Sequence, residues 1–241
     1  MDKYKVNRLI WLFFMAATQT TALCAQGTAL GRFFDYEGKP PFVGERLEFS
    51  ALASDVLTSN GHGLRNELKR KVTQRRSMYQ TNERLAGTIS YQLSKGSKTI
   101  VAQYHEGNTE TLFKLYVADI KDRRLDNGIA NDGIFDIYAK IDDTNGKEIL
   151  YPFLSIQGDG KFDFDLSVAE GTIHLTINGK TVSQKTKDAP GTYLKFGDYL
   201  QAQDAQTGQQ EAHENIRDFY RLRGIVSDRI VFEDVKYERH E

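Results

Sequence analysis

The chain of 241 residues has a single cysteine, Cys24, and only four prolines. One cysteine excludes a disulfide-stapled scaffold and any cysteine-based zinc cluster. So few prolines exclude collagen-like and Pro-rich architectures. No apolar run approaches the roughly 20 residues that a membrane-spanning helix needs, so no membrane span is expected. Charge of one sign is also missing: the formal net charge is −1, with 27% charged residues. That balance gives no case for nucleic acid as a partner. Walker and dinucleotide glycine motifs are absent, and so is the GxSxG pattern of an activated serine. With 11% aromatic residues and 39% hydrophobic residues the chain is too apolar to be disordered, and it can bury a substantial core.

The apolar stretch that does exist is short. Lys3, Lys5 and Arg8 precede the run Leu9 to Ala17, and small or polar residues follow to Gln26. This is the order of a secretory signal peptide, assigned to residues 1–25, with export to the periplasm or medium. Lipid attachment at Cys24 is the lesser reading, because Leu23 stands where a lipoprotein signal has a small residue. Cleavage leaves a mature chain, residues 26–241, whose stability must come from its core. No repeat or linker divides it, so one domain and a monomer are expected.

Period-2 alternation dominates from residue 85 onward. Leu85 to Leu93, Lys98 to His105, Thr111 to Ala118, Gly133 to Ile141 and Glu148 to Ile156 read as strands. So do Phe162 to Val168, Thr172 to Ile177, Thr181 to Lys185, Tyr193 to Gln201 and Ile230 to Tyr237. Turn residues separate them, and Asn178-Gly179 is a two-residue hairpin signal. The reading is all-β, a sandwich or jelly roll. Two stretches break the pattern: a turn or helical piece is expected in 54–60, and a loop with a short helix in 206–223.

Three segments combine an apolar face with a chemically loaded one. Arg65, Glu67 and Lys69 share a face opposite Leu68 and Val72. Gln103 and His105 oppose Ile100, Ala102 and Tyr104. Tyr193, Lys195, Gly197, Tyr199 and Gln201 oppose Leu194, Phe196 and Leu200. Alone, each has an ordinary explanation: a solvated ion-paired face, a hydrogen-bonded structural histidine, a half-buried tyrosine. As neighbours they build a groove of Arg, Lys, Gln, His and Tyr. Cations and an amide bind and neutralise a carboxylate, which acidifies the adjacent carbon, and His and Tyr move protons. That is the equipment for β-elimination from a uronic acid.

The segments RNELKR at 65–70, QYH at 103–105 and YLKFGDYLQ at 193–201 resemble the three ordered motifs of the alginate lyases of polysaccharide lyase family 7. Forty residues separate Arg65 from His105, and 94 separate His105 from Tyr199. The resemblance spans from about residue 40 to the C-terminus. It implies a β-jelly roll of two antiparallel sheets with a concave substrate cleft, and a secreted lyase that needs no cofactor or metal. Carried over by motif, Arg65 and Gln103 neutralise the uronate carboxylate, His105 is a base, and Tyr199 protonates the leaving oxygen. Glu67, Lys69, Tyr193, Lys195 and Gln201 are the implied substrate-binding residues, on an anionic polysaccharide such as alginate. Departures at Asn66, Lys69, Tyr104, Phe196 and Asp198 leave room for another polyuronate such as glucuronan. A non-catalytic carbohydrate-binding jelly roll is a second reading. A glycoside hydrolase is a third, with Glu148, Asp163 or Asp165 as its carboxylates.

Overall fold

Alternating side chains give each strand an apolar and a polar side, and burying the apolar sides against each other makes two layers. A computed structural model describes residues 30–59, 61–107 and 110–240. The expected leader, residues 1–25, lies outside the described residues. The strands in chain order are β1 (Phe34–Glu37), β2 (Phe42–Val43), β3 (Arg46–Phe49), β4 (Val56–Leu57), β5 (Gly63–Arg70), β6 (Glu83–Leu93), β7 (Lys98–His105) and β8 (Thr111–Ala118). Then follow β9 (Ile134–Asp142), β10 (Glu148–Gln157), β11 (Gly160–Ala169), β12 (Thr172–Ile177), β13 (Lys180–Lys185), β14 (Tyr193–Gln201) and β15 (Asp228–Arg239).

One sheet has eight strands in the order β1-β5-β14-β7-β8-β9-β10, with β4 also paired to β5. The other has seven, in the order β13-β12-β11-β6-β15-β3-β2. The pairings are antiparallel, and the architecture is a β-jelly roll sandwich. Its topology is strongly non-local: β14 inserts between β5 and β7, and β15 between β6 and β3.

Aromatic residues fill the space between the sheets. The Phe196 ring of β14 lies 5.2 Å from Phe34 and 5.4 Å from Phe232 of the facing sheet. Removing such a ring costs about 3–5 kcal/mol. A buried ion pair also joins the layers: Arg70 on β5 binds Glu83 on β6. The Tyr104 hydroxyl donates to Glu83 at 3.0 Å, and that of Tyr237 at 2.6 Å. Tyr104 is therefore directed into the core, away from the outer face of its sheet.

The expected turn at Asn178-Gly179 joins β12 to β13, with φ of 46° and 84° at the two residues, as a tight hairpin turn requires. In the 54–60 region a helix over Ala51–Ser54 comes first, and two-residue β4 follows. The helix in the 206–223 stretch is Ile216–Leu222, whose Ile216, Phe219 and Tyr220 pack with Leu64 and Leu200.

Two face assignments differ from the alternation. Val72 belongs to a 3-10 turn, not a strand, and is 70% exposed. Ile100 lies beside Tyr199 and Tyr116 on the outer face rather than in the inter-sheet core. The cause is a bulge: Ile100 pairs with Tyr116 and Ala102 with the adjacent Leu115, so Val101 is an extra residue on β7. One extra residue reverses the facing of everything before it.

Candidate active site

The three loaded strands are neighbours, with β14 in the middle. Tyr199 pairs with Arg65 and Lys195 with Lys69 across β5; Tyr193 pairs with His105 and Lys195 with Gln103 across β7. The close approach of β14 to β5 depends on Gly197, whose φ is 144°. A Cβ there would lie 2.4 Å from the Asn66 carbonyl oxygen.

The side chains form one connected polar layer. The Gln103 amide nitrogen donates to Glu67 Oε1 at 2.5 Å, and its oxygen lies 3.0 Å from His105 Nε2. With the amide nitrogen directed to Glu67, the Gln103 oxygen accepts a hydrogen bond from His105 Nε2–H, which leaves Nδ1 as the basic nitrogen of the imidazole. Thr111 Oγ1 is 3.5 Å from His105 Nδ1. The imidazole stacks on Tyr193, with centroids 5.3 Å apart and planes inclined 14°. Arg75 covers Tyr193 at 3.6 Å, a cation contact that the sequence reading did not include.

Cations concentrate around two glutamates. Glu67 binds Lys195 at 2.8 Å and faces Arg65 Nε at 3.8 Å. Glu37, at the end of β1, accepts from Arg65 at 2.7 Å and from Lys69 at 2.6 Å, and also pairs with Lys195. Burial alone raises the Glu37 carboxyl, but Lys195, Lys69 and Arg65 outweigh it and hold it far below the usual carboxylate range. Glu37 escaped the sequence reading because β1 has only four residues, too few to show a period. Its pairing with Glu67 is what brings it to the site.

Arg65 is also 5.1 Å from the Tyr199 ring, placing its cation beside the phenol. The structure thus assembles Arg65, Glu67, Lys69, Gln103, His105, Tyr193, Lys195 and Tyr199 on one face. Gln201 sits at the far end of β14, opposite Gly63. Lys195 is only 1% exposed and is wedged between Glu37 and Glu67, so it supports the layer from beneath rather than facing solvent.

The carboxylates considered for hydrolysis are held by partners outside this layer. Asp163 and Asp165 lie on β11 of the seven-stranded sheet, where Asp165 pairs with Arg84 at 2.6 Å. Glu148 lies on β10 of the other sheet, held by Lys140 at 2.7 Å and Lys114 at 3.0 Å. Glu148 is thus on a different sheet from both aspartates and cannot flank one glycosidic bond with either. Asp163 and Asp165 share a face of β11, where Thr88 and Arg84 hold them, on the sheet that does not carry the polar layer.

The family model described as alginate lyase matches residues 17–224. Among solved structures, the alginate lyase from Alteromonas sp. 272 is 32% identical, with a TM-score of 0.85 over 87% of this chain and 95% of that one. The family 18 polysaccharide lyase aly-SJ02 is also 32% identical, with a TM-score of 0.84 over 87% of this chain and 96% of that one. The marine family 7 alginate lyase AlyA1 from Zobellia galactanivorans is 13% identical, with a TM-score of 0.53 over 81% and 77% of the two chains, a likeness of fold. Curated protein sequences offer no match. Family 7 likeness is thus one of fold, and the stronger identity is to a family 18 enzyme. The chain belongs to the alginate lyase family and is a polysaccharide lyase.

Proposed function

We propose that this enzyme cleaves alginate by β-elimination at 4-O-linked uronic acids, leaving an unsaturated sugar at the new non-reducing end. The observation that carries the reading is the register of β14, which sets Tyr199 beside Arg65 and Tyr193 beside His105 on one face. Arg65 and Gln103 take the uronate carboxylate and disperse the charge that develops when the C5 proton leaves. His105 accepts that proton when it lies across the ring from the leaving group, as in guluronate. The electron pair left at C5 forms C4=C5 as the C4–O4 bond breaks, the pair of that bond leaving on O4, which takes the Tyr199 proton. Where the C5 proton and O4 share a side, as in mannuronate, Tyr199 serves both steps.

Glu67 orients Arg65, Gln103 and Lys195, while Lys69, Tyr193 and Gln201 contact the polymer. Residues 1–25 act as the export leader, and residues 26–241 work as a single catalytic domain and as a monomer. Support for a polyuronate substrate is the excess of cation over anion in the layer: Arg65, Lys69 and Lys195 against Glu37 and Glu67.

The test is the ultraviolet absorbance of the conjugated product, with purified protein on polymannuronate, polyguluronate and polyglucuronate separately. A rise on either alginate block supports the reading, and a rise on polyglucuronate alone reassigns the substrate. New reducing ends without absorbance would overturn elimination.

A further inference from the structure

The outer face of the eight-stranded sheet carries a second concentration of cations, on the opposite side of Tyr199 from Gln103 and His105. Ile100 pairs with Tyr199, and Lys98 follows two residues farther along β7, about 7 Å at the usual strand rise. The Val101 bulge turns Lys98 to this face. Its ammonium lies 4.9 Å over the Tyr116 ring, which itself stacks on Tyr138 at 4.8 Å.

Lys98 is an expensive residue where it stands. It is 8% exposed, and its Nζ donates to Gln203 Oε1 at 2.5 Å. Among the described residues it has no carboxylate at ion-pair distance. Burial, reinforced by Lys140 on β9 and Lys114 on β8, pulls its ammonium down to about 7, against weaker support from Glu148 on β10 and Asp122. A methionine would fill the same space without a buried charge.

The lysine opens onto a cavity of about 150 Å³ lined also by Lys121, Arg124, Lys140 and Gln203. The two carboxylates at its border are already engaged: Asp122 by Arg124 at 2.6 Å and Asp204 by Arg223 at 2.5 Å. Gln203 and Asp204 begin the polar segment that follows β14, whose place in the chemistry was open in the sequence.

We propose that this cavity is an anion subsite that holds a second carboxylate of the same polyuronate chain, with Lys98 as its central donor and the segment after β14 as its wall. The proposal rests on the polyuronate reading. It gives the buried lysine an anionic partner in addition to Gln203, and it makes productive binding depend on polymer length.

The test is elimination kinetics on size-fractionated uronate oligosaccharides, comparing wild type, Lys98→Met and the exposed Lys121→Gln, with Lys161→Gln on the seven-stranded sheet as a control. In Lys98→Met the ratio of KM for long over short oligosaccharides rises about tenfold, the effect of one lost charged hydrogen bond. Lys121→Gln moves the ratio the same way by less, and Lys161→Gln leaves it at the wild-type value. Folding is read separately by Tm. Unfolded lysine holds a proton that Lys98 loses between about pH 7 and 10, so wild-type stability gains with pH across that window. Lys98→Met therefore melts above wild type at pH 7 and below, and the difference narrows toward about pH 10. An active wild type with the same KM ratio in Lys98→Met and Lys121→Gln overturns the subsite alone. A wild type inactive on every oligosaccharide overturns the polyuronate reading and the subsite with it.

Discussion

Glu37 on the edge strand β1 holds Arg65 of β5 at 2.7 Å, while also binding Lys69 and Lys195. A fixed carboxylate thus occupies the cation cluster that, in the proposed mechanism, receives a substrate carboxylate. It lowers the net charge of that cluster and fixes the directions of its donors. Preorganisation of this kind favours turnover over simple retention of polyanion.

Glu37→Gln is expected to separate those two effects. The cluster gains a net positive charge, so KM for polyuronate falls at low salt and rises more steeply with salt than in wild type. With Arg65 and Lys69 less firmly held, kcat falls by about tenfold, a cost of about 1.4 kcal/mol in the transition state. Steady-state kinetics at low and high ionic strength measure both. Unchanged kcat together with an unchanged salt response would remove Glu37 from the site.

His105→Asn tests the division of labour between His105 and Tyr199. Loss of a positioned base costs about 10²–10⁴ in rate, and the loss falls on polyguluronate. Polymannuronate, where Tyr199 serves both steps, loses less. Separate initial rates on the two block polymers decide it, and equal loss on both contradicts the assignment of His105 as the guluronate base.

A buried acid behind the site gives a pH prediction. Asp198 is fully buried and accepts from Ala51 N at 2.8 Å and from Thr99 Oγ1 at 2.5 Å. Burial, then the neighbouring Asp228 carboxyl, raises its pKa well above the ordinary range, so Asp198 stays protonated where an ordinary aspartate is ionised. A raised folded-state pKa gives stability that is complete below the ordinary carboxyl range and is lost as pH rises through the raised value. Asparagine cannot ionise. The Tm of Asp198→Asn relative to wild type is therefore expected to become more favourable as pH rises above the ordinary carboxyl range, at roughly 2–4 °C per kcal/mol. Thermal melts above that range check the sign, and a Tm difference that is flat or declining with pH would mean that Asp198 is not protonated.

The sequence revealed most of the strands because their two faces differ in polarity, and it placed β7, β8, β12 and β14 with the ends observed. It also brought Arg65, Gln103, His105 and Tyr199 to notice as same-face residues on three strands, though pattern alone could not make those strands neighbours. The order β5-β14-β7 comes from pairing between segments about 90 to 130 residues apart, and strand patterns carry no partner information. Glu37 was hidden in a strand too short to show a period. Lys98 and Ile100 were hidden by one extra residue, Val101, which no period-2 reading detects.

The central claim is that Tyr199 supplies the proton that lets O4 leave. Tyr199→Phe retains the ring beside Arg65 and removes only the hydroxyl. The decisive measurement is product absorbance from this variant on alginate, with polymer retention assayed on the same preparation. The account predicts wild-type retention and a rate reduced by at least about 10³-fold. Retention with undiminished absorbance would contradict it and place the acid elsewhere on the face.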